Sequence, residues 1–381
     1  MAYADQTCAG ESPRRGTRRG RGRRASRPRP GLATLAVVAS MATACCALAP
    51  APSAAAGTGG PGKPRPAMTA SGVVGGALFG GDEPFVQEQG AIRRDLAIVR
   101  AYFSIGEKFP TASVRPLMAN GSTLLVSLAA QPGETYANIA AGKYDASISA
   151  FLRGMEQAAV TYHLPAIYFD FEHEANLPRN AWLGSAARFV AAWDHIHQLA
   201  AAADLDWNQG GRLHWVLILN HEAYVPMADR RRWQMDYGTA GAYFPGPSEV
   251  DVIAADGYNT SVCMRVRPSR PPYVDPGTAM TTPRALFGPL VNFAAQHGGL
   301  PVFIAEWGTI SYTSPLIQAS FIRRMMGFVT QNHSIAAALY WDSAAAGTAC
   351  DFSIDSNPDA VSAMKAMGQS PALRGRLAPL P

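Results

Sequence analysis

Short runs of apolar residues rich in Val, Ile, Leu and Tyr recur along the chain, each followed by polar or Gly/Pro residues and then by apolar positions three and four apart. The runs are Val73–Phe79, Ile98–Phe103, Thr123–Ala129, Ala166–Phe171, Leu213–Leu219, Val250–Ala255, Pro301–Ala305 and Ile335–Trp341. A strand that is apolar throughout is covered on both faces, the condition of a parallel sheet flanked by helices. The helical spacing is clearest in 147–155 and 186–193. Eight strand-helix units, spaced about 38 residues apart, predict an α/β fold closed into a (β/α)8 TIM barrel. A doubly wound open sheet is the alternative. It lacks its phosphate loop, because Gly75-Gly76 falls inside the first run rather than opening a helix.

The pattern does not extend to the N-terminus. Nine arginines lie between Arg14 and Arg29, followed by the apolar, small-residue run Gly31–Ala49 and then Pro50-Ala51-Pro52-Ser53. A basic, an apolar and a small-residue segment in that order predict a secretory signal over 1–56. The competing reading is a retained anchor, with Cys45 after Ala42-Thr43-Ala44 as a lipoprotein-type site, which would leave the protein attached to the envelope. The apolar run is short and interrupted for a span of about 20 residues. Residues 57–71 are rich in Gly and Pro and predict a linker. The barrel domain is expected over 72–370, with a tail at 371–381.

Removing 1–56 also changes the charge. The full chain of 381 residues carries +5, but the signal holds nine of its 33 basic and two of its 28 acidic residues, leaving a net of −2. The mature domain has no basic stripe and gives no footprint for nucleic acid. Three of the five cysteines also fall in the signal, leaving Cys263 and Cys350 as a candidate disulfide in an exported chain.

Barrel enzymes carry their chemistry at the C-terminal ends of the strands. After the fourth run the chain reads Asp170-Phe171-Glu172-His173-Glu174-Ala175-Asn176, four ionisable side chains in five positions. Strand alternation, while it holds, sends Asp170, Glu172 and Glu174 to one side, where like charges raise one another's proton affinity. After the seventh run, Glu306 follows four apolar residues. A lone carboxylate there is costly to bury unless it is paired or has chemical work to do. Strands four and seven face each other across a barrel mouth, so Glu174 and Glu306 can flank a glycosidic bond. A retaining mechanism needs their carboxyls about 5–5.5 Å apart.

These segments resemble glycoside hydrolase family 26, the family of many β-mannanases. The resemblance rests on His173-Glu174-Ala175-Asn176, on Glu306-Trp307-Gly308, on Val250-Asp251 through Asp256-Gly257-Tyr258-Asn259, and on Ile139-Ala140-Ala141-Gly142-Lys143-Tyr144-Asp145. It implies Glu174 as acid/base and Glu306 as nucleophile. It implies that His173 orients the nucleophile side, that Tyr258 hydrogen-bonds the nucleophile, and that Asn176, Trp182, Trp307 and Trp341 contact substrate, with Trp341 as a platform for the sugar ring. It implies no cofactor and no metal, a polysaccharide or oligosaccharide partner, and a monomer.

Two positions depart from the family pattern: Asp170 stands where an Arg is usual, and Leu177-Pro178-Arg179 where a Gly-x-Trp is usual. The expected activity is therefore a secreted retaining hydrolase of a β-linked polysaccharide, β-mannan the leading substrate. A barrel that binds polysaccharide without cleaving it, in envelope or exopolysaccharide assembly, is the alternative. A metal-dependent hydrolase built on the 170–174 cluster is a third reading. His195 and His197 are two apart on a helix and do not face each other, so they are read as packing residues. His221 and Glu222, after the fifth run, could touch substrate or brace the rim.

Overall fold

The computed structural model describes residues 72–82, 86, 89–260, 281–312, 314–343 and 350–378. The signal and linker segments, and Cys263, lie outside them.

Eight parallel strands close a barrel in sequence order: β1 (Leu78–Asp82), β2 (Ile98–Ser104), β3 (Thr123–Ala129), β4 (Ile167–Phe171), β5 (Leu213–Asn220), β6 (Val252–Asn259), β7 (Val302–Thr309) and β8 (Ile335–Tyr340), with β1 pairing back onto β8. The (β/α)8 expectation is met. The first strand begins five residues later than predicted. Val73–Val74 instead forms a small antiparallel pair with Arg376–Leu377, so residues expected to trail as a tail fold back under the barrel. Strand β1 reads Leu-Phe-Gly-Gly-Asp, poor in β-formers. Its Gly80 is demanded by packing, because a Cβ there would lie 2.5 Å from Ile98 Cγ2.

Helices cover the outside, among them α1 (Gln89–Ile92), α2 (Val114–Ala119), α3 (Tyr136–Ala140), α4 (Asp145–Thr161), α5 (Ala186–Ala201), α6 (Ala240–Tyr243), α7 (Pro283–Gln296), α8 (Pro315–Gln331) and α9 (Pro358–Gln369). Their apolar stripes pack on the outward strand residues; Phe151 and Met155 of α4 and Phe189 and Trp193 of α5 belong to that shell. A separate cluster fills the barrel, including Leu78, Ile98, Leu125, Tyr168, Ile218, Val252 and Phe303. No helix among the described residues is long and apolar enough to cross a membrane.

Strands β6 and β7 run about four residues beyond the predicted apolar runs, to Asn259 and Thr309. Glu306 therefore lies within a strand rather than after one. Its direction depends on an irregularity: the pairing of β6 with β7 shifts between Ala255 and Asp256, so that Ala255 faces Ile304 but Asp256 faces Glu306. Phe303 and Ala305 belong to the barrel interior and Ile304 to the outer shell. Plain alternation would next send Glu306 outward and Trp307 inward. The bulge inserts Ala305 as an extra residue and reverses the parity, a device found beside active sites.

Candidate active site

Above the apolar filling, the strand ends carry an inward polar layer. Tyr102, Ser127 and Asp170 stand side by side in register on β2, β3 and β4, and Asn220, Asp256 and Glu306 on β5, β6 and β7. At its centre is Arg100, fully buried one layer down on β2. Its Nη1 lies 2.7 Å from Asp256 Oδ1 and 2.8 Å from Glu306 Oε1, and its Nε donates to Ser127 Oγ at 3.2 Å. The Tyr102 hydroxyl donates to the same Glu306 oxygen. The phenol that reaches the nucleophile candidate is therefore Tyr102, where the family resemblance implied Tyr258.

Asp256 and Glu306 pair with the Arg100 guanidinium, Asp170 lies within its electrostatic reach, and all three carboxyls are buried. Burial pushes Asp170 up to about 7, with the Arg100 charge, Ser127 and the Ile218 N–H pulling it back. Burial likewise drives Asp256 well above the ordinary carboxylate range against the pull of Arg100, with Glu306 and Glu174 adding to the rise. For Glu306 burial again raises the proton affinity, opposed by the Arg100 charge and the Tyr102 hydrogen bond and reinforced by the Glu174 charge. Asp170 is therefore part-protonated near neutral pH. Arg100 itself keeps its charge: burial works against it, but Asp256, Tyr102, Glu306 and Asp170 outweigh that.

Glu174 is held differently. Strand β4 ends at Phe171, and Glu172 and Glu174 both sit at positive φ, 56° and 55°, conformations that non-glycine residues rarely adopt and that cluster at functional sites. The expected alternation of 170, 172 and 174 therefore fails. Glu172 turns away, and its Oε2 accepts from the Ala130 N–H at 2.7 Å. Burial pushes it up to about 8, Asp170 and Glu134 adding to the rise and the Ala130 N–H opposing it. Glu174 returns to the mouth, its own N–H bonded to Ile218 O at 3.0 Å. Its Oε1 accepts from Asn220 Nδ2 at 2.7 Å and its Oε2 from Arg179 Nη2 at 2.5 Å. Among the described residues no group of three or more His, Cys, Asp and Glu converges as a metal site would require, so the 170–174 cluster does not form one.

Of the remaining expected residues, His173 packs edge-on against Tyr102, with ring centroids 5.5 Å apart. Burial, with the Arg100 and Arg179 charges adding, holds its proton affinity well below the ordinary value, so the ring is neutral. Asn176 is buried and its Oδ1 accepts the Asn220 backbone N–H at 2.8 Å. It supports Glu174 through Asn220, with its side-chain oxygen already committed. Tyr258 and Trp341 pack edge to face at 5.5 Å, both half-buried at the rim beside Phe352. Trp182 is 49 % exposed on the 3-10 turn Pro178–Leu183.

Trp307 is not brought to the mouth. It is 1 % exposed and packs against Phe321 of α8 and Tyr340 of β8, outside the barrel, because the β7 bulge that turns Glu306 inward turns its neighbour outward. His195 pairs with Asp145, and His197 with Asp206 and Glu249, as packing residues on separate partners. Glu222 lies 3.3 Å from His221 Nε2 and accepts from Gln234, bracing the rim. Cys350 is disulfide-bonded; its expected partner Cys263 is outside the described residues.

Sequence reasoning missed Arg100, Tyr102 and Asn220. For Arg100 a signal existed: one cation between Val99 and Ala101 in an apolar strand is as costly to bury as the lone Glu306 and asks for the same explanation.

No protein-family model matches the chain, and no curated protein matches it. Among solved structures, a β-mannanase of family 26 from Bacteroides ovatus resembles it with a TM-score of 0.52 at 11% identity, over 78% of this chain and 90% of that one. The protein GH26C from a Muricauda species does so with a TM-score of 0.50 at 11% identity, over 78% and 86% of the two chains. At these identities the likeness establishes the barrel fold.

Proposed function

We propose that this barrel is a retaining glycosidase acting on a β-linked polysaccharide, with β-mannan the leading substrate, Glu306 the nucleophile and Glu174 the acid/base. One observation carries the reading. Two carboxyls lie at the ends of β4 and β7 within electrostatic reach of each other, one fixed to a buried cation and the other standing at the rim. The Arg100 guanidinium and the Tyr102 hydrogen bond oppose the rise in proton affinity that burial gives Glu306, and both hold its Oε1, leaving Oε2 for attack. Attack on the anomeric carbon forms a glycosyl ester while Glu174 protonates the departing oxygen; Glu174 then takes a proton from the water that cleaves the ester. Neutral His173 and the rim pair Tyr258 and Trp341 supply donors and an apolar face for the sugar. The fold likeness to a β-mannanase supports the same reading, and the basic-apolar N-terminus supports export of the chain.

The test is release of reducing ends from β-mannan, β-glucan and β-xylan by purified protein and by Glu306→Ala. Activity lost with Glu306 is expected; activity surviving the substitution overturns the nucleophile assignment. A second reading, glycan binding without cleavage, is favoured by Arg179 closing Glu174 Oε2. Tight binding with no reducing ends released, unchanged in Glu174→Gln, would support it.

A further inference from the structure

Both oxygens of Glu174 are engaged, but by donors of different kinds. Asn220 ends a barrel strand and has its own backbone held by Asn176. Arg179 hangs from the 3-10 turn after β4, and its side chain is 67% exposed where it meets Glu174 Oε2. An acid that protonates a leaving oxygen must present one of its own oxygens to it. Oε2 is the oxygen closed by a side chain that can swing away, and an ion pair with an exposed partner contributes little and exchanges readily. Because Glu174 would serve the leaving-group oxygen, what lies against it belongs to the leaving-group side of the cleft.

A second observation concerns the same turn. Trp182, half exposed, follows Arg179 by three residues. A 3-10 helix has three residues per turn, so positions i and i+3 eclipse. Arg179 and Trp182 therefore project from one face. A planar guanidinium fork matches a carboxylate or sulfate, and an indole matches the apolar face of a pyranose. Tyr237 lies within electrostatic reach of both Arg179 and Glu174 and borders the same spot.

We propose that the leaving-group side of the cleft takes a sugar unit bearing an anionic group, a uronate carboxylate or a sulfate ester, which draws Arg179 off Glu174 Oε2 while the ring lies on Trp182. The inference rests on the glycosidase reading and narrows its substrate from neutral β-mannan to a β-linked glycan that carries anionic units on the leaving-group side. Once Arg179 has moved to the substrate anion, Oε2 takes a proton from solvent. That proton passes to the glycosidic oxygen as its bond to the anomeric carbon breaks and the Glu306 carboxylate bonds that carbon. A neutral glycan offers Arg179 nothing in exchange for Glu174.

The test uses the full chain silenced by Glu306→Gln, titrated calorimetrically with β-1,4-linked tetrasaccharides of mannose, of mannuronate and of 6-sulfated mannose. The expected result is that one anionic ligand binds about 10- to 100-fold more tightly than the neutral one, the gain of a hydrogen-bonded charge pair; the tighter arm identifies the anion. Adding Arg179→Gln should bring anionic and neutral ligands within about threefold, whereas Trp182→Ala should weaken all three alike. Equal binding of all three ligands, or a preference that survives Arg179→Gln, overturns the inference. Arg179-dependent preference in a protein whose unsubstituted form releases no reducing ends from the same glycan leaves the anionic subsite standing and overturns the hydrolase reading alone.

Discussion

Glu306 and Glu174 are both 8 % exposed, yet their surroundings have little in common. Glu306 is gripped from inside the barrel by Arg100 and Tyr102 on β2, with Asp256 of β6 on the same guanidinium. Every one of these groups rides on a strand, and a β-bulge sets its direction. Glu174 stands past the end of its strand at positive φ, with one oxygen on a strand residue and the other on an exposed arginine. The contrast fits the two tasks proposed for them. An attacking carboxylate must be held in one place, which a rigid interior does, and the Arg100 charge there opposes the rise in proton affinity that burial causes. A proton carrier must change state twice per turnover, which a rim group with an exchangeable partner can do.

The largest way to break the contrast is to remove each carboxyl in turn. Glu306→Ala should lower kcat by about 10⁴-fold or more on every substrate, as loss of a nucleophile does. Glu174→Ala should cost about 10²- to 10⁴-fold on polysaccharide, but far less on an aryl glycoside whose leaving group departs without a proton. Steady-state rates on both substrates check this; equal losses for the two variants on the aryl glycoside would erase the distinction. Next in size is the interior lock. Arg100→Met leaves Asp256 and Glu306 buried without their cation, a change that typically costs about 3–5 kcal/mol. A Tm lower by roughly 6–20 °C is expected in thermal denaturation. The rim counterpart, Arg179→Gln, should leave Tm nearly where it is.

Stability should also change with pH. Asp170 is pushed up to about 7 and Glu172 to about 8, above the values near 4 of exposed carboxyls. The folded state then binds protons that the unfolded chain has already released. Their contribution is complete below about pH 4 and is lost as pH rises toward 8, so stability falls across that window. Glu172→Gln removes one such group and should flatten the fall. Melting curves of the two proteins at pH 5 and pH 8.5 test this, and a parallel decline in both would contradict it.

The strands were legible because continuous apolar runs leave few alternatives, and β3 matches its predicted limits at both ends. The errors gather where polar residues begin: hydrophobicity stops at Ala255 and Ala305, but pairing continues through Asp256 and Glu306 to Asn259 and Thr309. Glu174 and Glu306 could be picked out from charge at strand ends. The inward turn of Glu306 and the burial of Trp307 could not, since both depend on a one-residue shift between two strands that leaves no mark in either. Tyr102 was hidden by its type, an ordinary strand aromatic until Glu306 is brought to it. The contact of Arg179 with Glu174 was equally silent, because a 3-10 turn after two positive-φ residues follows no strand or helix period.

The central claim is that Glu306 attacks while Glu174 carries the proton, and its most direct test is the anomeric configuration of the first product, followed by proton NMR from the start of hydrolysis. The account predicts the β anomer first, with the α form growing in only by mutarotation. An α anomer formed first would mean inversion, with water attacking where Glu306 is placed, and would contradict it.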